Sequence, residues 1–193
     1  TKAAQEGLNS LFHVKALENE LQRMTGPTER GSAVTLEVVP SRDILTELSG
    51  QMGDACWAGT GILKNYSHIS SLSFFLDGDV AGSSLLIDTE TKSGEKITII
   101  RGLNPLERVI NKLELESFMD QLITHLGEVA AKRGRRLAIV IDDHSGGAST
   151  NRPMLFAYLS GMKRSLRPVK GIFDLGTMFN GYDIVNDTYY LTQ

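Results

Sequence analysis

The sequence predicts an α+β (α/β mixed) domain with a mixed, mostly antiparallel, seven-stranded sheet flanked by helices. Two observations predict this class. Strands over 71–76, 81–89 and 96–101 are separated by short connections that contain Gly78 and Gly94, which are typical of hairpins between antiparallel strands. The run over 137–141 is apolar throughout, as in a strand buried on both faces. The helix that precedes it predicts a crossover, which gives a parallel pair of strands.

The N-terminal part of the chain is predicted to be an amphipathic helix over residues 1–24. Its apolar residues recur at spacings of three and four, as at Leu8, Leu11 and Val14. A polar linker over 25–32 follows, and the remaining residues, 33–193, form the main domain. We expect the helix to pack on the domain, to contact a second copy in a homo-oligomer, or to continue from a larger parent polypeptide.

The main domain alternates further strands and helices around the three hairpin strands. Ser41 is a suitable N-cap, and Pro153 lies in a first helical turn, where its missing N–H costs nothing. The other predicted elements are a strand over 34–40, a helix over 41–50, a short helical stretch ending near 66, a long helix ending at Arg133-Gly134, a helix over 151–165, and weaker strands near 170–174 and 183–191.

Composition excludes several classes of protein. The chain has 193 residues and a net charge of -3, from 20 basic and 23 acidic side chains, so we expect no nucleic acid partner. Cys56 is the single cysteine, which excludes an intrachain disulfide and zinc sites of the Cys-x-x-Cys type, and we expect no metal. No apolar run has the length of a membrane span, so we expect no membrane partner and a cytoplasmic location.

The element order resembles the GNAT-type N-acetyltransferase fold over residues 33–191. Asn151 and Tyr158 have the spacing that this family shows after its fifth strand, and Gly161-Met162 follows where the family carries a Gly-aromatic pair. The resemblance implies an acyltransferase that moves an acetyl group from acetyl-CoA, or another acyl-CoA, to the amine of a small molecule or peptide. It also implies that Tyr158 protonates the departing thiolate.

The segment after the fourth strand departs from the family pattern. A GNAT protein carries (Gln/Arg)-x-x-Gly-x-(Gly/Ala) there, and its backbone N–H groups hold the pyrophosphate of coenzyme A. Residues 101–108 contain one glycine, Gly102, and a proline, Pro105, that lacks an N–H donor. Arg101, Gly102 and Asn104 are the cofactor-binding candidates here. The alternative function is a catalytically inactive GNAT-like module that binds a ligand or a protein.

Polar residues follow directly after the apolar strand 137–141. His144 is a candidate general base, and Asp143 is positioned in the sequence to orient its imidazole. The small and hydroxyl-bearing residues that follow allow backbone N–H groups to approach an anion. The cofactor-binding candidates in this segment are Ser145, Gly146, Gly147, Asn151 and Arg152.

The segment Asp54-Ala55-Cys56-Trp57 corresponds to the acceptor side of a GNAT cleft, so Asp54 and Trp57 are candidate substrate-binding residues. A lone cysteine and a lone tryptophan are more often core packing, and this is the favoured interpretation of Cys56 and Trp57. A minor alternative is a cysteine-dependent hydrolase or transferase in which His144 activates Cys56. If Arg101, Asp54, Asp143 and His144 share one pocket, that pocket is the functional site.

Two basic clusters complete the candidate features. One lies at the end of the long helix and the other after the last helix, and both are typical of solvated faces. If a cofactor with a 3′-phosphate binds, one of them is its candidate partner. Their members are Lys132, Arg133, Arg135 and Arg136 in the first, and Lys163, Arg164, Arg167 and Lys170 in the second.

Overall fold

The computed structural model describes residues 22–27, 33–41, 46–52, 55–76, 79–110, 114–142, 149–173, 178–179, 182–183 and 185–192. Its strands are β1 (Gln22–Pro27), β2 (Ala33–Ser41), β3 (Ile69–Leu76), β4 (Asp79–Glu90), β5 (Lys96–Pro105), β6 (Arg136–Val140), β7 (Met178–Phe179), β8 (Tyr182–Asp183) and β9 (Thr188–Tyr190). Its helices are α1 (Glu47–Met52), α2 (Ile62–Asn65), α3 (Glu107–Ile110), α4 (Leu115–Lys132) and α5 (Pro153–Met162), with a short 3-10 turn at Lys163–Ser165.

Six strands form an open, mixed, mostly antiparallel sheet in the order β2-β3-β4-β5-β6-β9, and β1 pairs antiparallel with β2 at its edge. The predicted hairpins are confirmed, because β3 pairs antiparallel with β4, and β4 with β5. The predicted parallel pair is also confirmed: β5 and β6 run parallel, from Ile97 opposite Arg136 to Ile100 opposite Ile139. The α+β class is therefore as the sequence predicts.

The sheet is buried on both faces because its central strands are apolar at consecutive positions. Ile100 and Ile139 face the layer formed by α4 and α5, which contributes Phe118, Leu122 and Leu155. Side chains alternate between the faces of a strand, so Ile99 and Val140 lie on the other face, where Trp57 and Ile62 cover them. The apolar side chains of α4, which include Phe118, Leu122 and Leu126, thus form its buried face.

The N-terminal prediction is corrected where the structure describes that part of the chain. Residues 22–27 are strand β1, although the sequence predicts the end of a helix up to 24 and a linker from 25. Backbone pairing of β1 with β2 satisfies the N–H and C=O groups of this segment and overrides its local helical periodicity. Residues 1–21, and with them most of the predicted helix, lie outside the described residues.

Other boundaries differ by a few residues. Helix α1 begins at Glu47, later than the predicted 41, and β5 extends to Pro105 rather than 101. The predicted strand near 170–174 is reduced to a single bridge between Thr91 and Ile172, and β9 covers only Thr188–Tyr190 of the predicted 183–191. In the described part of the chain, no helix is both long and apolar enough to cross a membrane.

Candidate functional site

The candidate site is the opening where β5 and β6 part. Their parallel pairing ends at Ile100 and Ile139, while β5 continues to Pro105. The N–H of Ile141 donates to the carbonyl of Asp187 at 2.9 Å, which continues the antiparallel pairing of β6 with β9 by one residue. The space beside β5 beyond the end of this pairing is called the opening below.

A buried ion pair spans the opening. The Nη1 atom of Arg101 lies 3.5 Å from Oδ2 of Asp142, and the two side chains are only 5 % and 0 % exposed. By strand alternation both lie on the sheet face that carries Ile99 and Val140. Because burying charge is costly without a partner, the two residues depend on each other. The sequence singled out Arg101 as a cofactor ligand, whereas the structure pairs it with the protein's own carboxylate.

Trp57 is a core residue of the same face. It is 2 % exposed, and its indole edge lies against the backbone of Gly102. A Cβ atom at Gly102 would stand 3.6 Å from Cδ1 of Trp57, and the φ angle of +62° at this position favours glycine. Its Nε1 finds no acceptor among the described residues. The burial supports the packing interpretation of Trp57 and leaves little of it to touch a substrate.

Cys56 lies beside this ion pair but is not activated by it. The residue as a whole is exposed, yet enough protein surrounds the thiol that burial raises its pKa, against the smaller opposing effect of the Arg101 guanidinium. A raised pKa leaves the thiol protonated near neutral pH, and the thiolate is the nucleophilic form. This electrostatic setting disfavours the predicted nucleophile.

The segment 149–152 closes the opening between the two strands. The carbonyl of Ser149 accepts a hydrogen bond from the N–H of Leu103 at 2.9 Å, and its hydroxyl donates to the carbonyl of Asp142 at 3.0 Å. This one residue therefore joins the end of β5 to the residue that follows β6. The backbone N–H of Leu103 is therefore bonded within the protein and is not available to a ligand in the opening.

A buried network around Asn104 continues this closure. Its Oδ1 accepts hydrogen bonds from the N–H of Asn151 at 2.9 Å and from the hydroxyl of Thr150 at 3.3 Å. The Nε of Arg152 donates to the carbonyl of Pro105 at 2.6 Å. Asn104, Asn151 and Arg152 are predicted cofactor ligands, but these atoms hold the loop before α5 onto β5.

Tyr158 lies in the other layer of the molecule. It packs against the apolar cluster that α4 and α5 form with one face of the sheet. Trp57, the neighbour of Cys56 in the sequence, belongs to the apolar cluster on the other face. Burial raises the pKa of Tyr158, and the carboxylates of Asp120 and Glu116 on α4 raise it further. The structure therefore does not bring Tyr158 together with Cys56 or Arg101.

The N-terminal end of α4 is acidic. Glu114 at the N-cap and Glu116 in the first turn are both exposed. These carboxylates complement the positive end of the helix dipole. They also oppose the approach of a pyrophosphate, which a GNAT-like scaffold would hold at this helix.

The structure tests only part of the predicted constellation. Asp54, Asp143, His144, Ser145, Gly146 and Gly147 lie outside the described residues, so the hypothesis of one shared pocket remains a prediction. What the sequence missed is the role of Ser149 and Asn104 in closing the opening. The signal was a serine and a threonine just before a helix that begins with Pro153, because hydroxyl residues there commonly cap or brace the helix start.

Comparison of the sequence with protein-family models and with curated proteins finds no match. Among the described residues, no group of three or more His, Cys, Asp or Glu side chains is arranged to hold a metal ion. The interpretation of the site therefore depends on its geometry alone.

Proposed function

We propose that this chain is a catalytically inactive, GNAT-like module that binds a ligand or a protein, and not an acyl-CoA-dependent acyltransferase. The observation that carries the proposal is the hydrogen bond from the N–H of Leu103 to the carbonyl of Ser149. It lies in the opening where the reacting thioester of a GNAT enzyme sits. A cytoplasmic setting, in which Cys56 stays a free thiol, belongs to the same proposal.

The residues whose hydrogen bonds close the opening are buried. Asn104, Ser149 and Thr150 are each at most 2 % exposed, and Arg152 is 8 % exposed. For an acyl chain to enter, these groups would have to give up their hydrogen bonds and leave buried donors and acceptors without partners, which is expensive. The opening is therefore a braced part of the core.

The electrostatics support the same proposal. Coenzyme A carries several phosphate charges, and the start of α4 presents the carboxylates of Glu114 and Glu116. The buried guanidinium of Arg101 is already paired with Asp142. Among the described residues near the opening, the guanidinium of Arg101 and the N–H of Leu103 are thus already engaged within the protein.

Titration with acetyl-CoA and free CoA, followed by thermal shift and calorimetry, tests the proposal. A ligand at 100-fold its Kd stabilises the folded state by about 2.7 kcal/mol, so a true cofactor gives a clear shift. We expect no shift at millimolar concentrations. Acyl transfer is the second candidate, favoured by the end of the β5–β6 pairing at Ile100, beyond which β5 continues to Pro105. Saturable binding together with CoA release in the presence of an amine panel would establish it.

A further inference from the structure

The two basic clusters of the sequence meet at one aromatic ring. Arg136 begins β6 and Arg167 follows the last helix, yet the guanidinium carbons of both lie over the ring of Tyr190, at 4.0 Å and 4.6 Å from its centroid. Cations at such distances are attracted by the ring face. The site is at the amino end of β6, opposite the end that carries Asp142.

Arg136 is held in place by the protein. Its Nη1 donates to Oε1 of Glu95 at 2.8 Å and its Nη2 to the carbonyl of Thr192 at 2.7 Å. The hydroxyl of Tyr190 donates to the other oxygen of Glu95. The hydrogen bonds from Tyr190 and Arg136 lower the pKa of Glu95, so its carboxylate stays charged. Arg136, Glu95 and Tyr190 thus form a fixed bracket.

Arg167 is different because its guanidinium makes no such bonds. The residue is exposed, and within the described part of the chain its side chain contacts the ring of Tyr190 but donates no hydrogen bond. A guanidinium presents five N–H donors in a planar fork that matches a carboxylate or a phosphate. This fork lies on a fixed aromatic face with its donors available.

A groove of about 560 Å³ lies beside this fork. Its size falls within the range of small-molecule sites, about 300–1,000 Å³. Leu166 and Leu191 supply apolar surface. Arg136 and Arg167 are the charged residues among the described lining, and the carboxylate of Glu95 offsets one of their two positive charges. The groove therefore combines an apolar wall with a net positive charge.

We propose that this groove binds a small organic anion, with a carboxylate or phosphate held by the guanidinium fork of Arg167 and an apolar body against Leu166 and Leu191. Arg136 contributes a second positive charge without leaving Glu95. The inference goes beyond the proposed function and does not depend on the opening between β5 and β6.

A matched set of probes tests the groove: phenyl phosphate, phenylacetate, inorganic phosphate and benzyl alcohol, each titrated against the full chain and followed by amide chemical shifts. We expect phenyl phosphate or phenylacetate to shift the amides of Ser165, Leu191 and Thr192, and the tighter of the two assigns the anion. Benzyl alcohol lacks the charge and inorganic phosphate lacks the apolar body, so both should bind about tenfold more weakly or not at all. Failure of both charged aromatic probes would overturn the proposal.

Substitutions locate the binding. Arg167→Ala should weaken binding of the better probe by about tenfold or more, because a charge-assisted fork is lost. The matched control is Arg164→Ala, which removes an exposed arginine outside the groove lining and should leave the affinity within about twofold. Equal losses in the two variants, or none in Arg167→Ala, would contradict the site.

Acetyl-CoA is itself an anion, so its titration is repeated on Arg167→Ala. Binding by the wild-type chain that disappears in this variant belongs to the groove and leaves the proposed function intact. Binding that persists overturns the proposed function and does not bear on the groove. The titration of this variant therefore distinguishes a failure of the proposed function from a failure of the groove proposal.

Discussion

At the scale of single residues, the pairing of Arg101 with Asp142 assigns a structural role to two charged residues that follow apolar strands. The sequence shows Arg101 and Asp142 as charged residues that follow apolar runs, a pattern equally typical of a ligand site and of an internal ion pair. The 3.5 Å contact and near-complete burial favour the ion pair. The ion pair therefore links β5, which carries Arg101, to the segment that follows β6, which carries Asp142.

Asp142→Asn preserves the shape of the side chain but removes the charge that faces Arg101. We expect the free energy of unfolding to fall by about 3 kcal/mol, because the change removes a buried carboxylate charge that lies 3.5 Å from a buried guanidinium. Urea denaturation at neutral pH measures it. The control is Asp187→Asn, which breaks an exposed pair with Lys163 at 3.7 Å and should cost less than about 1 kcal/mol. Equal costs would contradict the role of the buried pair.

The rate of Cys56 alkylation by iodoacetamide should rise with pH around a midpoint above that of an ordinary cysteine thiol, because burial raises the pKa of this group. The rate follows the thiolate fraction, so at neutral pH Cys56 should react more slowly than a short cysteine peptide measured alongside it. A midpoint near neutrality would instead restore the cysteine nucleophile as a hypothesis.

At the scale of secondary-structure elements, the loop before α5 is as well anchored as a strand. Ser149, Thr150 and the backbone of Asn151 all bond to β5 or to the end of β6. Asn104 is the central acceptor because one carbonyl oxygen has two lone pairs and serves two donors here. The start of α5 is therefore fixed to the sheet before the helix begins.

Asn104→Ala should lower the free energy of unfolding by about 1–3 kcal/mol, since it leaves the N–H of Asn151 without its acceptor. Chemical denaturation gives the value. Asn65→Ala, at an exposed position at the end of α2, serves as the control and should change stability by less than about 0.5 kcal/mol. If the two variants unfold alike, the network around Asn104 does not brace α5.

The elements that the sequence predicted well depend on local chemistry. The glycine-containing connections before β4 and β5 specify hairpins within a few residues, and the apolar run of β6 needs burial wherever it lies. Strand β1 was missed because its partner β2 is a separate segment, and because its first residues, 22–24, continue a helical period while 25–27 are polar or turn-forming. Likewise, the bond from Leu103 to Ser149 joins residues 46 positions apart, which no local pattern specifies.

At the scale of the whole molecule, one mixed sheet separates two environments. One end of β6 carries the opening that Ser149 and Asn104 close, and the other carries the bracket of Arg136, Glu95 and Tyr190. The carboxyl end of β6, which a GNAT-like enzyme uses for catalysis, is closed by hydrogen bonds within the protein. At the amino end, the guanidinium of Arg167 has N–H donors that can bind a ligand. We therefore expect binding at the amino end of β6 and none in the opening.

The amide proton of Leu103 tests this account most directly, because its hydrogen bond to Ser149 is what closes the opening. Hydrogen exchange followed by NMR, with and without millimolar acetyl-CoA, measures whether that bond persists. We predict slow exchange, comparable to the paired amides of β5, and no shift of the Leu103 signal when acetyl-CoA is added. Rapid exchange of this amide, or a saturable shift with acetyl-CoA, would show that the opening admits the cofactor and would contradict the account.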